Sequence, residues 1–181
     1  MALCPLLIKK LDERKAYILL SVYGFAASIF SFVIGHFWFQ SPDNMVLTVL
    51  FYASLFLIGL QFGAVTLMPM IMTADCVDYY EYETGKRMEG AAYSILTLTI
   101  KVCLALGTAV GLIFVQVSGY YDALGAGTFT TKTKDIIFFA YTALPGVLAL
   151  LSIFPMFKYD IVGEKKAQIS AALSQRRAGK E

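Results

Sequence analysis

A lysine lies inside a long apolar run, where a charged side chain can do chemistry. Lys101 comes ten residues after Ala91, where the run begins. At 1.5 Å per residue it lies about 15 Å deep, near the centre of a hydrocarbon core about 30 Å thick. An ammonium there normally faces a bundle interior or a watery cavity and pairs with a carboxylate or polar ligand. We interpret Lys101 as a pathway residue; the alternative is a lysine that only holds helices together.

A row of carboxylates follows the second apolar run. Asp75, Asp78 and Glu81 are spaced three residues apart, so they share one face if the preceding helix continues past Thr73. Such a row, with Arg87 nearby, can form ion pairs that close one side of a membrane protein and break when it opens. The alternative is a solvated loop, because exposed ion pairs contribute only about 0–1 kcal/mol.

Three further residues are weaker candidates. Gln61 carries an amide in mid-span, which could bind a hydroxyl of a solute or hold helices together. Tyr93 could line a pathway, although tyrosine also packs between membrane helices. His36 is interpreted as an interfacial residue, and the sequence shows no acidic partner for it except Asp43.

The sequence does not favour an enzyme, a metal site or a nucleic-acid partner. It has no nucleophile elbow, phosphate loop or HExxH motif, so we predict no catalytic residue and no cofactor. Cys4, Cys76 and Cys103 are far apart and lack ligand spacing, which predicts neither disulfides nor a metal site. The net charge of +2 is too small to indicate nucleic-acid binding.

Composition places most of the chain in a bilayer. Hydrophobic residues make up 58% of it, against roughly 45–50% in soluble domains. Apolar runs longer than the roughly 18 residues that indicate a membrane span alternate with short polar blocks. We predict an all-α integral membrane protein with four transmembrane helices. The predicted segments are a cytoplasmic segment 1–16, helix 17–39, outer loop 40–44, helix 45–74, cytoplasmic loop 75–90, helix 91–118, outer loop 119–135, helix 136–157 and cytoplasmic tail 158–181.

Lysine and arginine residues predict the orientation, because the side richer in them normally stays in the cytoplasm. Lys132 and Lys134 lie on one side, and Lys101 lies within a span. The other side carries all the rest: Lys9, Lys10, Arg14, Lys15, Lys86, Arg87, Lys158, Lys165, Lys166, Arg176, Arg177 and Lys180. Both termini and the 75–90 loop are therefore predicted to be cytoplasmic, in a multi-pass plasma-membrane protein.

The junction of the second and third spans carries a recognisable motif. Residues 72–94 read MTADCVDYYEYETGKRMEGAAYS. This segment resembles the one that links helices 10 and 11 in the glycoside–pentoside–hexuronide:cation symporters, the melibiose-carrier branch of the major facilitator superfamily. Asp75, Asp78, Arg87 and Lys101 fall on the family's positions, as does the pair Gly119-Tyr120. The resemblance covers essentially the whole chain.

The resemblance implies the C-terminal portion, helices 9–12, of a twelve-helix symporter in a bacterial inner membrane. It implies that Asp75, Asp78 and Arg87 belong to a cytoplasmic ion-pair gate and Lys101 to a central cavity. The implied partners are the lipid bilayer, a sugar-like solute, a coupling Na⁺ or H⁺, and the missing N-terminal helices. Since about eight helices are missing and the family's site lies between two halves, the chain is not expected to transport alone.

Two classes of function remain open from the sequence. The first is a portion of a symporter, whether a truncated gene, a split subunit or a partial sequence. The second is a stand-alone four-helix membrane protein with an assembly or regulatory role, or a gene fragment without activity. Self-association suits the second class, because Gly107 and Gly111 on the third span favour close helix packing.

Overall fold

The computed structural model describes residues 12–178, apart from the side chains of residues 63–65. Residues 1–11 and 179–181 lie outside the described part, so the predictions on Cys4, Lys9, Lys10 and Lys180 do too. Within residues 12–178 the chain is all-α. The helices are α1 Glu13–Gln40, α2 Met45–Thr84, α3 Glu89–Val117, α4 Tyr120–Ala126, α5 Thr131–Tyr141, α6 Ala143–Leu151, α7 Ile153–Met156 and α8 Gly163–Ala178.

Four helical segments in residues 12–178 are long and apolar enough to cross a membrane. They are α1, α2, α3 and the series α5 to α7, which together run from Thr131 to Met156. Their length and composition confirm the predicted fold class of four membrane-spanning helices. Ion pairs and loops lie at the two ends. We call the end that carries Glu13, Asp75 and α8 the α8 end, and the opposite end, with His36 and Asp135, the His36 end.

The first helix begins earlier than predicted. The prediction placed residues 1–16 before the membrane helix, but α1 starts at Glu13, and Ala16 N–H donates to the carbonyl of Asp12 at 2.9 Å. Glu, Arg, Lys and Ala are good helix formers, so the polar residues before Tyr17 extend the helix. An apolar run marks only the part of a helix that suits lipid.

The second helix does not end at residue 74, and the predicted loop 75–90 is wrong. Helix α2 continues to Thr84, which leaves only residues 85–88 between α2 and α3. Gly85 ends it with φ of 69°, a left-handed conformation that glycine adopts without steric cost, and its N–H donates to the carbonyl of Glu81. The acidic row therefore lies on a helix.

The predicted outer loop 119–135 contains helical structure. It holds the short helix α4, and the fourth span starts at Thr131 instead of residue 136. Thr130 caps that start, since its hydroxyl accepts from the N–H of Thr133 at 3.3 Å. The span is interrupted at Thr142 and Ser152, close to Pro145 and Pro155, which lack the N–H needed inside a helix.

The C-terminal segment is also more ordered than predicted. We expected a charged tail whose end from Ser174 frays, but α8 runs through Ser174 to Ala178. Its buried residues are Ile169 and Leu173, four positions apart on one helix face. Helix α8 packs against α2. The tail thus folds back onto the bundle.

Packing is uneven among the four spans. Helix α1 contacts α2 and α6 extensively, and at the His36 end Trp38 stacks on Phe51 with ring centroids 4.5 Å apart. Phe138 joins this aromatic cluster from α5. Helix α3 contrasts with this arrangement, because none of its residues is buried. Most of the α3 surface is left uncovered by the described part of the chain.

Candidate functional site

Lys101 lies in an open groove along α3. The groove has a volume of about 420 Å³ and is lined by Gly90, Tyr93, Ser94, Thr97, Leu98 and Lys101. The hydroxyls of Ser94 and Thr97 lie beside the ammonium; each donates to a carbonyl of its own helix and keeps its oxygen as an acceptor. Such a surface can bind a polyhydroxylated or anionic solute through hydrogen bonds and charge. The structure thus brings Lys101 and Tyr93 to the same surface, and their predicted role in a pathway stays a prediction.

Tyr93 connects this groove to α2. Its hydroxyl lies 3.5 Å from the carbonyl oxygen of Met70. Lys101 forms no ion pair within residues 12–178. A lysine at mid-span is costly without a polar partner, so the groove needs water, solute or a further protein group beside it.

Gln61 lies elsewhere, in a cavity among α1, α2 and the α5 to α7 span. It is buried, and its amide packs against Gly24 of α1, where a larger residue would collide with it. The cavity has a volume of about 480 Å³ and also exposes Tyr17, Ser21 and Thr142. The structure therefore separates Gln61 from Lys101, and the close contact with Gly24 is what a residue that joins helices makes.

Asp75 occupies the centre of an ion-pair cluster at the α8 end. Its side chain is only 9% exposed, and one carboxylate oxygen lies 2.8 Å from Nζ of Lys166. Lys166 also reaches Glu13 at 2.7 Å, so one ammonium joins carboxylates of α1 and α2. The Tyr159 hydroxyl donates to Asp75 at 3.2 Å. Both partners of Asp75, Lys166 and Tyr159, come from the C-terminal segment.

Two arginines hold the outer part of the acidic row. Glu81 accepts from Arg87 at 3.0 Å and from Arg177 of α8 at 2.9 Å. Asp78 lies 3.5 Å from Arg87 and 3.9 Å from Arg177. Arg87 also pairs with Glu89 at 3.0 Å. The structure brings Asp78, Glu81 and Arg87 together, whereas Asp75 pairs with Lys166 instead of Arg87. Helix α8 supplies bases that the prediction assigned to a facing domain.

The environment fixes the protonation of the tail groups in this cluster. Burial raises the pKa of Tyr159, and the neighbouring Asp75 carboxylate raises it further, so the hydroxyl keeps its proton and donates. Burial by itself would lower the pKa of Lys166. The hydrogen bonds to Asp75 and Glu13 outweigh burial, so the pKa lies above its usual value and the ammonium stays charged.

His36 has a different partner from the one expected. Its Nδ1 lies 2.9 Å from Oδ2 of Asp135, and its Nε2 lies 2.8 Å from the amide of Gln40. The expectation that only Asp43 could pair with it is wrong, because α5 begins before the predicted boundary and carries Asp135 to α1. Oδ1 of Asp135 is buried and has no hydrogen-bond partner within residues 12–178.

Comparison with known proteins identifies the family. A family model described as MFS/sugar transport protein matches residues 1–163. The chain belongs to this family. Membership agrees with the predicted resemblance and with the four apolar helices.

Three relatives show the extent of the similarity. The uncharacterized 29.9 kDa protein in the crtE 3′ region of Pseudescherichia vulneris is 27% identical over 154 residues, 85% of this chain and 54% of that protein. The inner membrane symporter YicJ of Escherichia coli K12 is 31% identical over 108 residues, 60% of this chain and 23% of the symporter. The putative sulfoquinovose importer of the same strain is 26% identical over 179 residues, 97% of this chain and 35% of the importer.

The chain thus spans about half or less of the length of these relatives. No solved structure matches it significantly. The relatives named as symporters or importers are longer than the chain. Their names support a transport function in the family, whereas solute and coupling ion are matters for a proposal.

Three residues of the two polar clusters were not predicted from the sequence, namely Glu13, Tyr159 and Asp135. Lys166 and Arg177 were counted as basic residues of the tail but were not paired. One signal was available, since Lys166, Ile169 and Leu173 follow a helical spacing that indicates an amphipathic helix. The pair of His36 and Asp135 had no such signal, because it joins residues 99 positions apart.

Proposed function

We propose that this chain forms the C-terminal part of a symporter that couples a sugar or sugar-like solute to Na⁺ or H⁺. The main support is the position of Lys101. Its ammonium lies at mid-span, in a groove that is also lined by serine, threonine and tyrosine, on a helix that the described chain leaves uncovered. A groove of this kind has a use once further helices cover it and solute or a carboxylate approaches Lys101. Membership of a sugar-transport family supports this function.

The α8 end is proposed to face the cytoplasm. The α8 end carries the excess of lysine and arginine, which by the positive-inside rule supports a cytoplasmic position for this end in a bacterial inner membrane. The carboxylates Asp75, Asp78 and Glu81 then lie at the cytoplasmic end of α2. Their ion pairs would close that side during one stage of alternating access and break in the other.

An uptake assay tests the proposal. The chain is expressed together with a segment that supplies the preceding helices of the fold, in cells that lack their own sugar carriers. Uptake of a labelled neutral glycoside and of a labelled glucuronide is then measured. Uptake above that of either segment alone is expected, and Lys101→Ala should lower it at least about ten-fold, since Lys101 is proposed to contact solute or its binding groups.

A matched lysine provides the control for this assay. Lys132→Ala alters a lysine near the start of α5, at the His36 end and outside the groove, so uptake should stay within about two-fold of the unaltered level. Equal uptake by the Lys101→Ala variant would remove Lys101 from the mechanism. No uptake of either solute by a correctly inserted assembly would contradict the sugar transport function.

A second candidate function is supported by one specific observation. The 29.9 kDa relative is itself shorter than the other relatives, since 154 aligned residues make up 54% of it whereas 179 residues make up 35% of the importer. A short member of the family could act as a four-helix assembly partner. Open space around Gly107 and Gly111 on α3 would then suit a second helix. A stable, monodisperse oligomer of the isolated chain would favour this alternative.

A further inference from the structure

Helix α8 contacts the ends of two membrane helices, α1 and α2. Lys166 donates to Glu13 at the start of α1 and to Asp75 near the end of α2. Both carboxylates are largely buried, with 11% and 9% of their side chains exposed. A single ammonium between two buried carboxylates neutralises part of their charge and keeps them close. The α8 ends of α1 and α2 are therefore joined through the tail.

The rest of α8 is built to remain in place. Ile169 and Leu173 are buried, with 5% and 4% exposed, and they continue the face that carries Lys166. Arg176 donates to the carbonyl oxygen of Tyr82 at 2.9 Å, and Arg177 reaches Glu81. Helix α8 is therefore held in place by three basic residues that contact α2 and by the burial of two apolar side chains. A solvated tail would not bury this combination of groups.

The contacts of α8 coincide with the proposed gate. The proposed function assigns Asp75 and Glu81 to closure of the cytoplasmic side. Basic residues of α8 form ion pairs with both carboxylates. When side chains of the tail donate to a carboxylate, fewer of its acceptor positions remain for hydrogen bonds from a basic residue of another domain. The tail and any facing domain would therefore compete for the same groups.

We propose that α8 is a strap that holds the α8 ends of α1 and α2 together, and that Lys166 must leave Asp75 for this end to open. The gating role rests on the proposed function, whereas the strap itself does not. Lys166 is a positioning residue, because it acts through Glu13 and Asp75. Without its charge, two largely buried carboxylates lose the cation between them and repel each other.

Hydrogen–deuterium exchange of the whole chain in detergent tests the strap. We expect Lys166→Gln to speed amide exchange about ten-fold in α8 and in the first turns of α1, because it removes hydrogen bonds to charged groups. Lys165→Gln is the matched control. Lys165 is the neighbouring residue; it pairs with the exposed Asp160 and lies 5.3 Å from the ring centroid of Tyr79, but it contacts no buried carboxylate of the described chain, so exchange should change less than about two-fold. Lys166→Arg keeps the charge and should retain most of the protection.

The strap predicts faster amide exchange in Lys166→Gln than in Lys165→Gln. Equal exchange in Lys166→Gln and Lys165→Gln would overturn the proposal. The unaltered chain gives a test that needs no variant, since exchange of α8 at the rate of an unstructured peptide would also overturn it. Should Lys166→Gln not fold, Lys166→Arg still tests the claim, because loss of its protection would contradict a charge-based strap.

The uptake assay separates the strap from the transport function. In an assembly that transports, Lys166→Gln should change the uptake rate at least about three-fold while Lys165→Gln leaves it unchanged, because only the former frees the gate carboxylates. Altered exchange with no uptake by any assembly would retain the strap and reject symport. Normal uptake in Lys166→Gln, together with altered exchange, would overturn the gating role.

Discussion

Tyr93 and Lys101 lie about two turns apart on α3 and line the same open groove. The Tyr93 hydroxyl approaches the Met70 carbonyl of α2, so one edge of the groove is fixed by the described part of the chain. The other edge has no helix over it within residues 12–178, and α3 buries none of its residues there. The groove is therefore open on one side in the described part of the chain, and the proposed function assigns that side to further helices.

The contact between α1 and α6 should be sensitive to one added methyl group. A Cβ at Gly146 would lie 2.6 Å from Cβ of Ser28, so Gly146→Ala forces the two helices apart. Overpacking of this kind costs about 1–3 kcal/mol. We expect the midpoint of thermal unfolding in detergent to fall by several degrees, at roughly 2–4 °C per kcal/mol.

Gly111→Ala is the matched control for that variant. Gly111 also lies inside a membrane helix, but apart from its chain neighbours and the backbone of its own helix no atom of the described chain lies within 4 Å of the position that the added methyl carbon would occupy. Alanine is the better helix former, so the midpoint should stay or rise slightly. A fall of the same size in both variants would show that the α1 and α6 contact is looser than the structure indicates.

His36 and Asp135 should be energetically coupled across the His36 end. Their hydrogen bond of 2.9 Å joins α1 to α5, and His36→Phe would leave a largely buried carboxylate without its partner. We expect a double-mutant cycle of His36→Phe and Asp135→Leu to give a coupling free energy of about 1 kcal/mol or more in unfolding. Additive effects of the two substitutions would contradict the pair.

Lys166 should react slowly with amine-acylating reagents. Its raised pKa leaves a smaller unprotonated fraction at pH 8, and both neighbouring carboxylates hold the ammonium. We expect its modification, followed by mass spectrometry of the whole chain, to be about ten-fold slower than that of the exposed Lys158. Combining Glu13→Gln with Asp75→Asn should remove this difference. Equal rates in the unaltered chain would argue against the ion-pair cluster.

The number and type of the membrane helices could be predicted from the sequence, because long apolar runs leave the backbone no alternative to a helix in lipid. The ends of these helices could not. Polar residues that continue a helix, such as those before Tyr17 and after Thr73, look like loop residues in an apolar pattern. Local caps decide the boundary instead, as Gly85 does for α2.

Parts of the candidate site could be predicted for the same reason. Lys101 and the acidic row stand out by type and spacing within one or two helices. The partners of the acidic row could not be predicted, since Lys166 is 153 positions from Glu13 and 91 from Asp75. The position of Gln61 also depends on tertiary packing, because spacing along α2 does not show that it faces Gly24.

Ion-driven uptake is the most direct test of the proposed symport. Membrane vesicles that contain the chain together with the preceding helices are loaded without solute, and an inward Na⁺ or H⁺ gradient is imposed. Symport predicts accumulation of the labelled sugar above its outside concentration under one of these gradients, and loss of that accumulation when an ionophore dissipates it. Accumulation that ignores both gradients, or vesicles that only equilibrate the sugar, would contradict cation-coupled transport.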